Sequence, residues 1–324
     1  MACDGRFFER VCDRFELGTI TARPLAIDSG LSNCLYRVVT DRGEFAVKRM
    51  VANADAPSFK SNVEASFAVE RQAHSAGIAM PDPVPVPGTS EALARVDQDG
   101  TPGWVRVHTW VPARRVTAEE TGSTDLARVG SILASLHRLP LAGQEQSASP
   151  HEPGSPRAWR RAGSSTPLDS VLIDTIGVLE GIVRRGHAAN RSRLVLSHRD
   201  LDAKNLLRDA HGRLIVIDWD AAGPTDAHWD VVGVAMDWSG VREGTPSRKA
   251  FAELLDGYVQ AGGHLDPVSA ESFAGWSQGV LDWLWFNLER TASPEPSERL
   301  LGESEVACTS RFLPRAASLI LALA

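Results

Sequence analysis

Residues 194–205 read LVLSHRDLDAKN, an apolar run that leads directly into a polar loop, and residues 214–218 read LIVID. Short apolar runs bounded by turn-forming residues predict buried strands. The first strand is followed by Asp200 and Asn205, and the second ends at Asp218. We therefore expect two buried strands with adjacent tips, which bring these three side chains close together in space.

Two carboxylates and one carboxamide in this arrangement suit phosphoryl transfer. One carboxylate can accept the proton of an attacking hydroxyl, while an amide oxygen and the second carboxylate hold Mg²⁺ against nucleotide phosphates. Mg²⁺ keeps several of its waters, so one Asp and one Asn from the protein suffice. Each acid alone would more often cap a turn at a strand end, but the combination favours catalysis.

The run HRDLDAKN followed by IDWD resembles the catalytic and metal-binding signature of the aminoglycoside phosphotransferase family, which is related to the protein kinases. The family's pattern is H-x-D-x-x-x-x-N, then a hydrophobic run and an Asp, and all four positions match. The resemblance implies that Asp200 is the catalytic base, that Asn205 and Asp218 are metal ligands, and that His198 supports the loop. Asp220 either supports the metal site or is a solvated or capping residue.

The resemblance also implies an α+β, bilobal, protein-kinase-like fold. Alternation on both sides of the turn 41–43 predicts an antiparallel hairpin, and 62–76 has the pattern of a helix ending at Gly77. Helical patterns dominate from residue 123 onward. We expect an antiparallel sheet lobe with one main helix at 1–111, which binds the nucleotide and ends in a hinge. A mostly helical lobe at 112–324 would carry the catalytic loop, the metal site and the acceptor pocket, interrupted by a loop at 140–167.

A strand lysine and a helix glutamate form the nucleotide side of related kinases. Lys48, in FAVK at 45–48, resembles the lysine that binds the α- and β-phosphates. Glu70 and Glu64 compete as its partner, and the sequence around Glu70, ahead of Gly77, favours Glu70. Either glutamate could instead be an ordinary solvated helix acid.

The turn at 28–33 occupies the place of the phosphate-covering loop. Its hydroxyl and backbone N–H groups would meet phosphates at Ser29, Gly30, Ser32 and Asn33. The turn has one glycine and lacks G-x-G-x-x-G, so a plain hairpin turn is the alternative.

The segment HTWVPA at 108–113 looks like the hinge between the lobes. By the kinase pattern, the Thr109 carbonyl and the Val111 N–H would meet the nucleotide base. Ala113 stands where the family usually has glycine. Backbone contacts leave little side-chain signature, so ATP and GTP both stay open as donors.

The helical lobe should build the acceptor pocket, and the segment 274–290 is its richest candidate. Asp282, Trp285 and Glu289 combine acids with an aromatic face, which suits a sugar or an amine-bearing ligand. The alternative is a core helix, since Trp is heavily buried on average. Asp230 resembles the family's structural Asp that braces the catalytic loop.

The charge and cysteine content of the chain limit the classes of partner and the compartment that we expect. The formal net charge is -7, from 34 Lys plus Arg against 41 Asp plus Glu, and this balance argues against nucleic acid as a binding partner.

The N-terminus has early acids and no long apolar run, so we expect neither a signal peptide nor a membrane segment. The four cysteines show no CxxC pair and are expected to be reduced thiols in a cytoplasmic monomer or homodimer.

These patterns together predict a Mg²⁺-dependent O-phosphotransferase that moves the γ-phosphate of ATP or GTP to a hydroxyl of a small molecule. Cationic molecules are among the expected acceptors. The leading acceptor is an antibiotic (an aminoglycoside or another sugar, nucleoside or peptide antibiotic), which would give resistance. A metabolic kinase for an amino alcohol, sugar or nucleoside shares the same motifs. A nucleotide-binding pseudokinase module is the third interpretation. The sequence contains no Walker A motif and no APE-like segment, which disfavours P-loop and protein kinases.

Overall fold

A computed structural model of the protein describes residues 5–27, 33–51, 54–98, 101–117, 120–141, 159, 169–189 and 193–324. Backbone packing divides the chain into two compact units. Unit 1 comprises Met1–Val116 with His198–Gly223, and unit 2 comprises Thr117–Ser197 with Pro224–Ala324. Packing thus groups the loop after residue 197 with the N-terminal part, whereas the expected lobe boundary at 111/112, which remains a prediction, would assign it to the second lobe.

Unit 1 contains the predicted antiparallel sheet. Its strands are β1 (Leu25–Ile27), β2 (Asn33–Thr40), β3 (Gly43–Met50), β4 (Pro83–Val84), β5 (Ala94–Gln98) and β6 (Thr101–Thr109). They run in the order β1-β2-β3-β6-β4, with β5 also paired to β6. The hairpin expected around the turn 41–43 is confirmed as β2–β3, with Leu35 opposite Lys48. Lys48 in turn lies opposite Arg106 of β6.

Two helices accompany this sheet. In α1 (Gly5–Phe15), Phe7, Phe8 and Val11 are buried and pack in one apolar cluster with sheet residues such as Val38 and Val107. The helix α2 (Phe59–Ser75) confirms the helix expected at 62–76. It stops before Gly77, whose φ of 83° favours glycine and ends the helical path.

The remaining part of unit 1 is a three-stranded sheet in which β7 (Arg114–Arg115) pairs with β9 (Leu206–Arg208), and β9 with β10 (Leu214–Val216). The other predicted buried strand, β8 (Leu194–Ser197), pairs instead with β11 (Gly223–Asp226). The two apolar strands thus pair with different partners, because the chain enters β9 directly after Asn205 and β9 pairs with β10. The residues that follow them still meet, since His198, directly after β8, lies 3.0 Å from the carbonyl of Ile217, directly after β10.

Unit 2 is mostly helical. Its helices are α3 (Ser123–Leu136), α4 (Ser170–Ala189), α5 (Ala227–Asp237), α6 (Arg248–Gln260), α7 (Ala274–Arg290) and α8 (Pro296–Leu323). The expectation that helices dominate from residue 123 onward is confirmed. Most of the loop expected at 140–167 lies outside the described residues.

One described helix, α8, is long and apolar enough by composition to cross a membrane. In its most apolar window, 44% of the residues are buried inside the protein. A core helix passes the same test of length and composition, so this helix is weak evidence for a span.

Glycines set the close approach of α3 and α6. A Cβ on Gly257 would lie 2.5 Å from both the Cα and the carbonyl oxygen of Ala127. A Cβ on Gly130 would likewise meet the Leu254 carbonyl and, at 2.6 Å, the Tyr258 nitrogen. Backbone faces backbone at this crossing, so a side chain can be added only by moving a whole helix.

We expect Gly257→Ala to lower the free energy of unfolding by about 1–3 kcal/mol, because the added methyl group overpacks the crossing. Urea unfolding measures the change. Gly177→Ala in α4 is the matched control, since a Cβ there meets nothing within 4 Å. Removing a helical glycine at an open position should stabilise by about 0.5–1 kcal/mol. Equal effects of the two substitutions would contradict the packing argument.

Candidate active site

A lysine held between two aspartates forms the centre of the site in unit 1. The ammonium of Lys48, on β3, lies 2.6 Å from Asp218 Oδ1 and 2.5 Å from Asp220 Oδ2. Asp218 directly follows Ile217 at the end of β10, and Asp220 lies in the short 3-10 helix Trp219–Ala221. The Lys48 side chain is 15% exposed and that of Asp218 is 45% exposed, so the lysine is sheltered while one acid faces outward.

A buried arginine, Arg106, also contacts one of the two aspartates of this centre. Arg106 Nη1 donates to Asp220 Oδ1 at 2.5 Å, and Nη2 donates to the carboxylate of Glu70 on α2. His108, two residues further along β6, lies 2.8 Å from the other Glu70 oxygen. Arg106 and Glu70 are 1% and 0% exposed. The described contacts thus form a continuous chain of charges from Glu70 through Arg106 and Asp220 to Lys48.

The pKa values in this chain follow from its opposite charges. Burial alone would raise the pKa of Asp220, but Lys48 and Arg106 outweigh it and lower the pKa to about 2. Burial would likewise raise the pKa of Glu70, and Arg106 followed by His108 lowers it instead. The pKa values of Lys48 and Arg106 are raised, because their acidic partners overcome the lowering effect of burial. All four groups are therefore charged at neutral pH.

The expected direct pair between Lys48 and a helix glutamate is not what the structure contains. Glu70 bonds to Arg106 and His108, and Lys48 bonds to the two aspartates. Glu64 accepts from the backbone N–H groups of Ala92 and Leu93 at 2.7 and 3.0 Å. The physical reason is the buried Arg106, whose charge needs a carboxylate and takes that of Glu70.

The loop that follows β8 brings Asp200 and Asn205 together. Asn205 Nδ2 donates to Asp200 Oδ2 at 2.8 Å and to its carbonyl at 2.9 Å, which directs the amide Oδ1 away from Asp200. Lys204 Nζ lies 3.0 Å from Asp200 Oδ1. The Asn205 carbonyl accepts from the N–H of Ile217, the residue before Asp218. Backbone pairing therefore ties the Asp200–Asn205 loop to the segment that carries Asp218.

His198 contacts the segment that leads to Asp218, and its supporting role stays a prediction. Its Nε2 lies 3.0 Å from the Ile217 carbonyl, and its ring packs edge-on against Trp219 at 4.8 Å. The backbone around these contacts is tight. Arg199 and Asp218 have φ values of 61° and 63°, a left-handed conformation that costs a non-glycine residue about 1 kcal/mol or more. Such cost persists only where the surroundings impose it, so both loops are held in place by their contacts.

A sequence model of the phosphotransferase enzyme family matches residues 24–273 of this chain. The chain belongs to that family. The protein is accordingly a phosphotransferase. A search of curated proteins finds no match.

Solved structures of several phosphotransferases and kinases share the fold of this chain. A spectinomycin phosphotransferase in complex with ADP and spectinomycin is 13% identical, with a TM-score of 0.70 and 99% of each chain covered. A choline/ethanolamine kinase family protein from Mesorhizobium loti is 19% identical, with a TM-score of 0.59 and 93% of each chain covered. An amicoumacin kinase in complex with AMP-PNP is 13% identical, with a TM-score of 0.63, covering 96% of this chain and 93% of that one. The expected α+β, protein-kinase-like fold is confirmed.

The predicted nucleotide loop of the phosphotransferase lies largely outside the described residues, which include Asn33 but not Ser29, Gly30 or Ser32. Asn33 Oδ1 accepts from the Val51 N–H at 2.9 Å. In the hinge segment, the Thr109 N–H donates to the Asp82 carbonyl at 3.0 Å. Contacts of the nucleotide with Asn33, Thr109 and Val111 stay predictions.

The predicted acceptor residues lie on α7 of unit 2. Asp282 accepts from Gln278 at 2.8 Å, Trp285 packs edge-on against Trp159 at 4.9 Å, and Glu289 is exposed. Their role in binding an acceptor stays a prediction. Asp230, on α5, accepts from Ser197 at 2.6 Å and lies 2.9 Å from His137 Nε2. Ser197 directly precedes His198, and a bracing role for Asp230 stays a prediction.

Sequence reasoning missed Arg106, although a signal for it exists. Residues 105–108 read VRVH, so charged and apolar side chains alternate along β6. Alternation on a strand places Arg106 and His108 on one face and the valines on the other. Without the pairing of β3 with β6, nothing in the sequence shows that this face is also that of Lys48.

We expect Glu70→Gln to lower the free energy of unfolding at pH 7 by about 3–5 kcal/mol, because it leaves Arg106 buried with one carboxylate fewer. Glu64→Gln is the control and should cost about 1–2 kcal/mol, since Gln keeps one of the two acceptor oxygens. Urea unfolding of both variants gives the comparison. Similar losses in the two variants would show that Glu70 does not compensate Arg106.

The same pair predicts a pH dependence. The pKa of Glu70 is lowered in the folded chain, so its stabilisation is present above the pKa of an unfolded Glu, about 4.3, and is lost as the pH falls further. The stability difference between wild type and Glu70→Gln should therefore be constant from pH 7 to about 5 and shrink in acid. A difference that grows in acid would contradict the assignment.

Proposed function

We propose that this phosphotransferase transfers the γ-phosphoryl group of ATP to a hydroxyl of a small molecule with the help of Mg²⁺, and that an antibiotic is the leading acceptor. The observation that carries the proposal is the set of contacts in unit 1. Lys48 is shared between Asp218 and Asp220, and the Asp200–Asn205 pair is tied to the same segment through Ile217. These residues supply the base, the phosphate-binding cation and the oxygen donors of a kinase.

Asp200 is the proposed base. Its carboxylate orients the acceptor hydroxyl and takes its proton as the acceptor oxygen bonds to the γ-phosphorus, while the bond from that phosphorus to the β–γ bridging oxygen breaks and ADP leaves. Lys204 Nζ lies 3.0 Å from one oxygen of this carboxylate. Asn205 fixes the other carboxylate oxygen, so the base is held in one orientation.

Asp218 and Asn205 are the proposed ligands of Mg²⁺, with Asp220 as support. A cation already fits between the two aspartates, because the Lys48 ammonium contacts one oxygen of each. The donors are all carboxylate or amide oxygens, which Mg²⁺ prefers. Mg²⁺ is usually bound through one or two carboxylates together with substrate phosphates and water. When bound, the ion would neutralise charge on the phosphates.

Lys48 is the proposed phosphate ligand. Its ammonium contacts one oxygen of each of the two aspartates. We infer that nucleotide phosphates take over part of this pairing, as for the strand lysine of related kinases. The complexes of the solved relatives contain ADP and AMP-PNP, which favours ATP over GTP as the donor.

The acceptor is a small hydroxylated molecule. The spectinomycin phosphotransferase and the amicoumacin kinase support an antibiotic. The choline/ethanolamine kinase family protein and a microcompartment-associated aminopropanol kinase support the second candidate, a metabolic kinase for an amino alcohol. A pseudokinase module is disfavoured, because Lys48, Asp200, Asn205 and Asp218 are all present.

We expect Asp200→Asn to lower kcat by about 10²–10⁴-fold, because the amide cannot accept the hydroxyl proton. Asp202→Asn is the matched control, since Asp202 lies in the same loop and its carboxylate contacts Lys204 at 3.6 Å. Its bond with the Asn205 N–H is made by the backbone carbonyl, which the substitution keeps. It should keep most of the activity. Phosphate transfer is followed with ATP and Mg²⁺ once an acceptor is known. Wild-type kcat in Asp200→Asn would overturn the assignment of the base.

The acceptor class is tested by mass spectrometry for an added phosphate. The enzyme is incubated with ATP and Mg²⁺ and with panels of antibiotics, nucleosides and amino alcohols. We expect phosphorylation within the antibiotic panel and its loss in Asp200→Asn. Phosphorylation confined to amino alcohols would favour the metabolic kinase. Tight nucleotide binding without transfer to any acceptor would favour the binding module.

A further inference from the structure

We propose that Arg106 is a positioning residue of the active site, through which Glu70 acts on Asp220 and thereby on Lys48. The inference rests on the proposed function, because it concerns the same nucleotide site. It assigns a role to a buried arginine that the phosphoryl-transfer motifs do not include.

The pairing of β3 with β6 places two positive side chains next to each other. Lys48 and Arg106 are directly opposite each other on the paired strands β3 and β6, so their side chains leave the same face of the sheet. Like charges directly opposite each other destabilise a strand pair. Asp220 removes the conflict, because one carboxylate oxygen contacts Arg106 and the other contacts Lys48, each at 2.5 Å. The Asp220 carboxylate is therefore fixed from two sides.

Burial makes the arginine the rigid partner of the two cations. The side chain of Arg106 is 2% exposed, against 15% for Lys48. Its guanidinium bridges Asp220 and Glu70, and its Nε is buried without a hydrogen-bond partner among the described residues. The two carboxylates are thus what hold the group in place. Arg106 also lies 5.8 Å above the Phe67 ring of α2, which restricts it further.

The pairing with Arg106 matters when Lys48 leaves Asp220 to bind a nucleotide phosphate. If Lys48 were the only cation near Asp220, its departure would leave that carboxylate half-buried and uncompensated. Arg106 keeps Asp220 paired and oriented after Lys48 has moved. The cost of transferring Lys48 from aspartate to phosphate is thereby reduced, and nucleotide affinity should depend on Arg106 although the arginine is too buried to touch the nucleotide.

An arginine is required for geometric reasons. A guanidinium has several donors in a fixed plane and can hold two carboxylates at once, whereas a lysine ammonium is a point charge on a flexible stem. Arg106→Lys therefore keeps the buried positive charge but not the fixed bridge. This difference separates a positioning role from a purely structural one, in which a positive charge between β6 and α2 would suffice.

The experiment compares Arg106→Lys, Arg106→Gln, Glu70→Gln and the double variant Glu70→Gln/Arg106→Gln with wild type. The readouts are the melting temperature, the Kd for ATP with Mg²⁺ by calorimetry, and the slow hydrolysis of ATP, which needs no acceptor. Arg95→Gln is the matched control, because Arg95 is exposed on β5 of the same sheet and stacks on Trp104. It should leave all three readouts near wild type.

We expect Arg106→Lys to keep a melting temperature closer to wild type than Arg106→Gln, yet to raise the Kd for ATP by about tenfold or more, as misplacement of a binding group does. Glu70→Gln should raise the Kd in the same direction. The double variant should bind no more weakly than Arg106→Gln alone, since residues that act as one unit are not additive. If Arg106→Gln does not fold, Arg106→Lys decides by itself.

A wild-type Kd and hydrolysis rate in Arg106→Lys would overturn the inference, and so would additive losses in the double variant. Failure of the proposed function has a different signature, since wild type itself would then neither bind nor hydrolyse ATP with Mg²⁺. The inference on Arg106 would fall with it. Wild-type activity with unchanged Arg106→Lys overturns the positioning role alone.

Discussion

The compensation of buried charge is the constraint on which unit 1 depends. A positive group placed between a sheet and a helix is costly unless carboxylates surround it. Arg106 meets this condition with Glu70 from α2 and Asp220 from the segment after β10. One buried guanidinium therefore links three elements that are far apart in the chain, and the ion pairs that stabilise them also orient the residues proposed to bind phosphate.

Rigidity around the proposed catalytic loop comes from backbone contacts more than from side-chain packing. The Asn205 carbonyl pairs with the Ile217 N–H, and His198 bonds to the Ile217 carbonyl. Two residues beside these contacts adopt left-handed conformations that other surroundings would not maintain. The loop is thus held by contacts within the protein, and preorganised groups can stabilise a transferring phosphoryl group without reorganisation.

The helical unit follows a different physical rule. Its helices α3 and α6 approach until backbone meets backbone at Gly130 and Gly257, so small residues rather than charges set their geometry. Asp230 connects this packing to Ser197, directly before the catalytic loop. Helices of this kind leave side chains free to vary on other faces, which is consistent with one fold serving relatives that act on spectinomycin or amicoumacin and others named for choline and ethanolamine.

The sequence by itself determined the hairpin β2–β3, the helix α2 and the pairing of Asp200 with Asn205, because strand alternation, helix periodicity and loop spacing are local properties. It also predicted site roles for Lys48, from its place in the strand FAVK, and for Asp218, from a motif with fixed spacing. Only the tertiary structure decided the partner of Lys48 and the importance of Arg106. Both depend on which strands pair and on which carboxylate contacts which buried cation. Lys48 with Asp218, and Arg106 with Asp220, are contacts between residues more than a hundred positions apart, which no local pattern encodes.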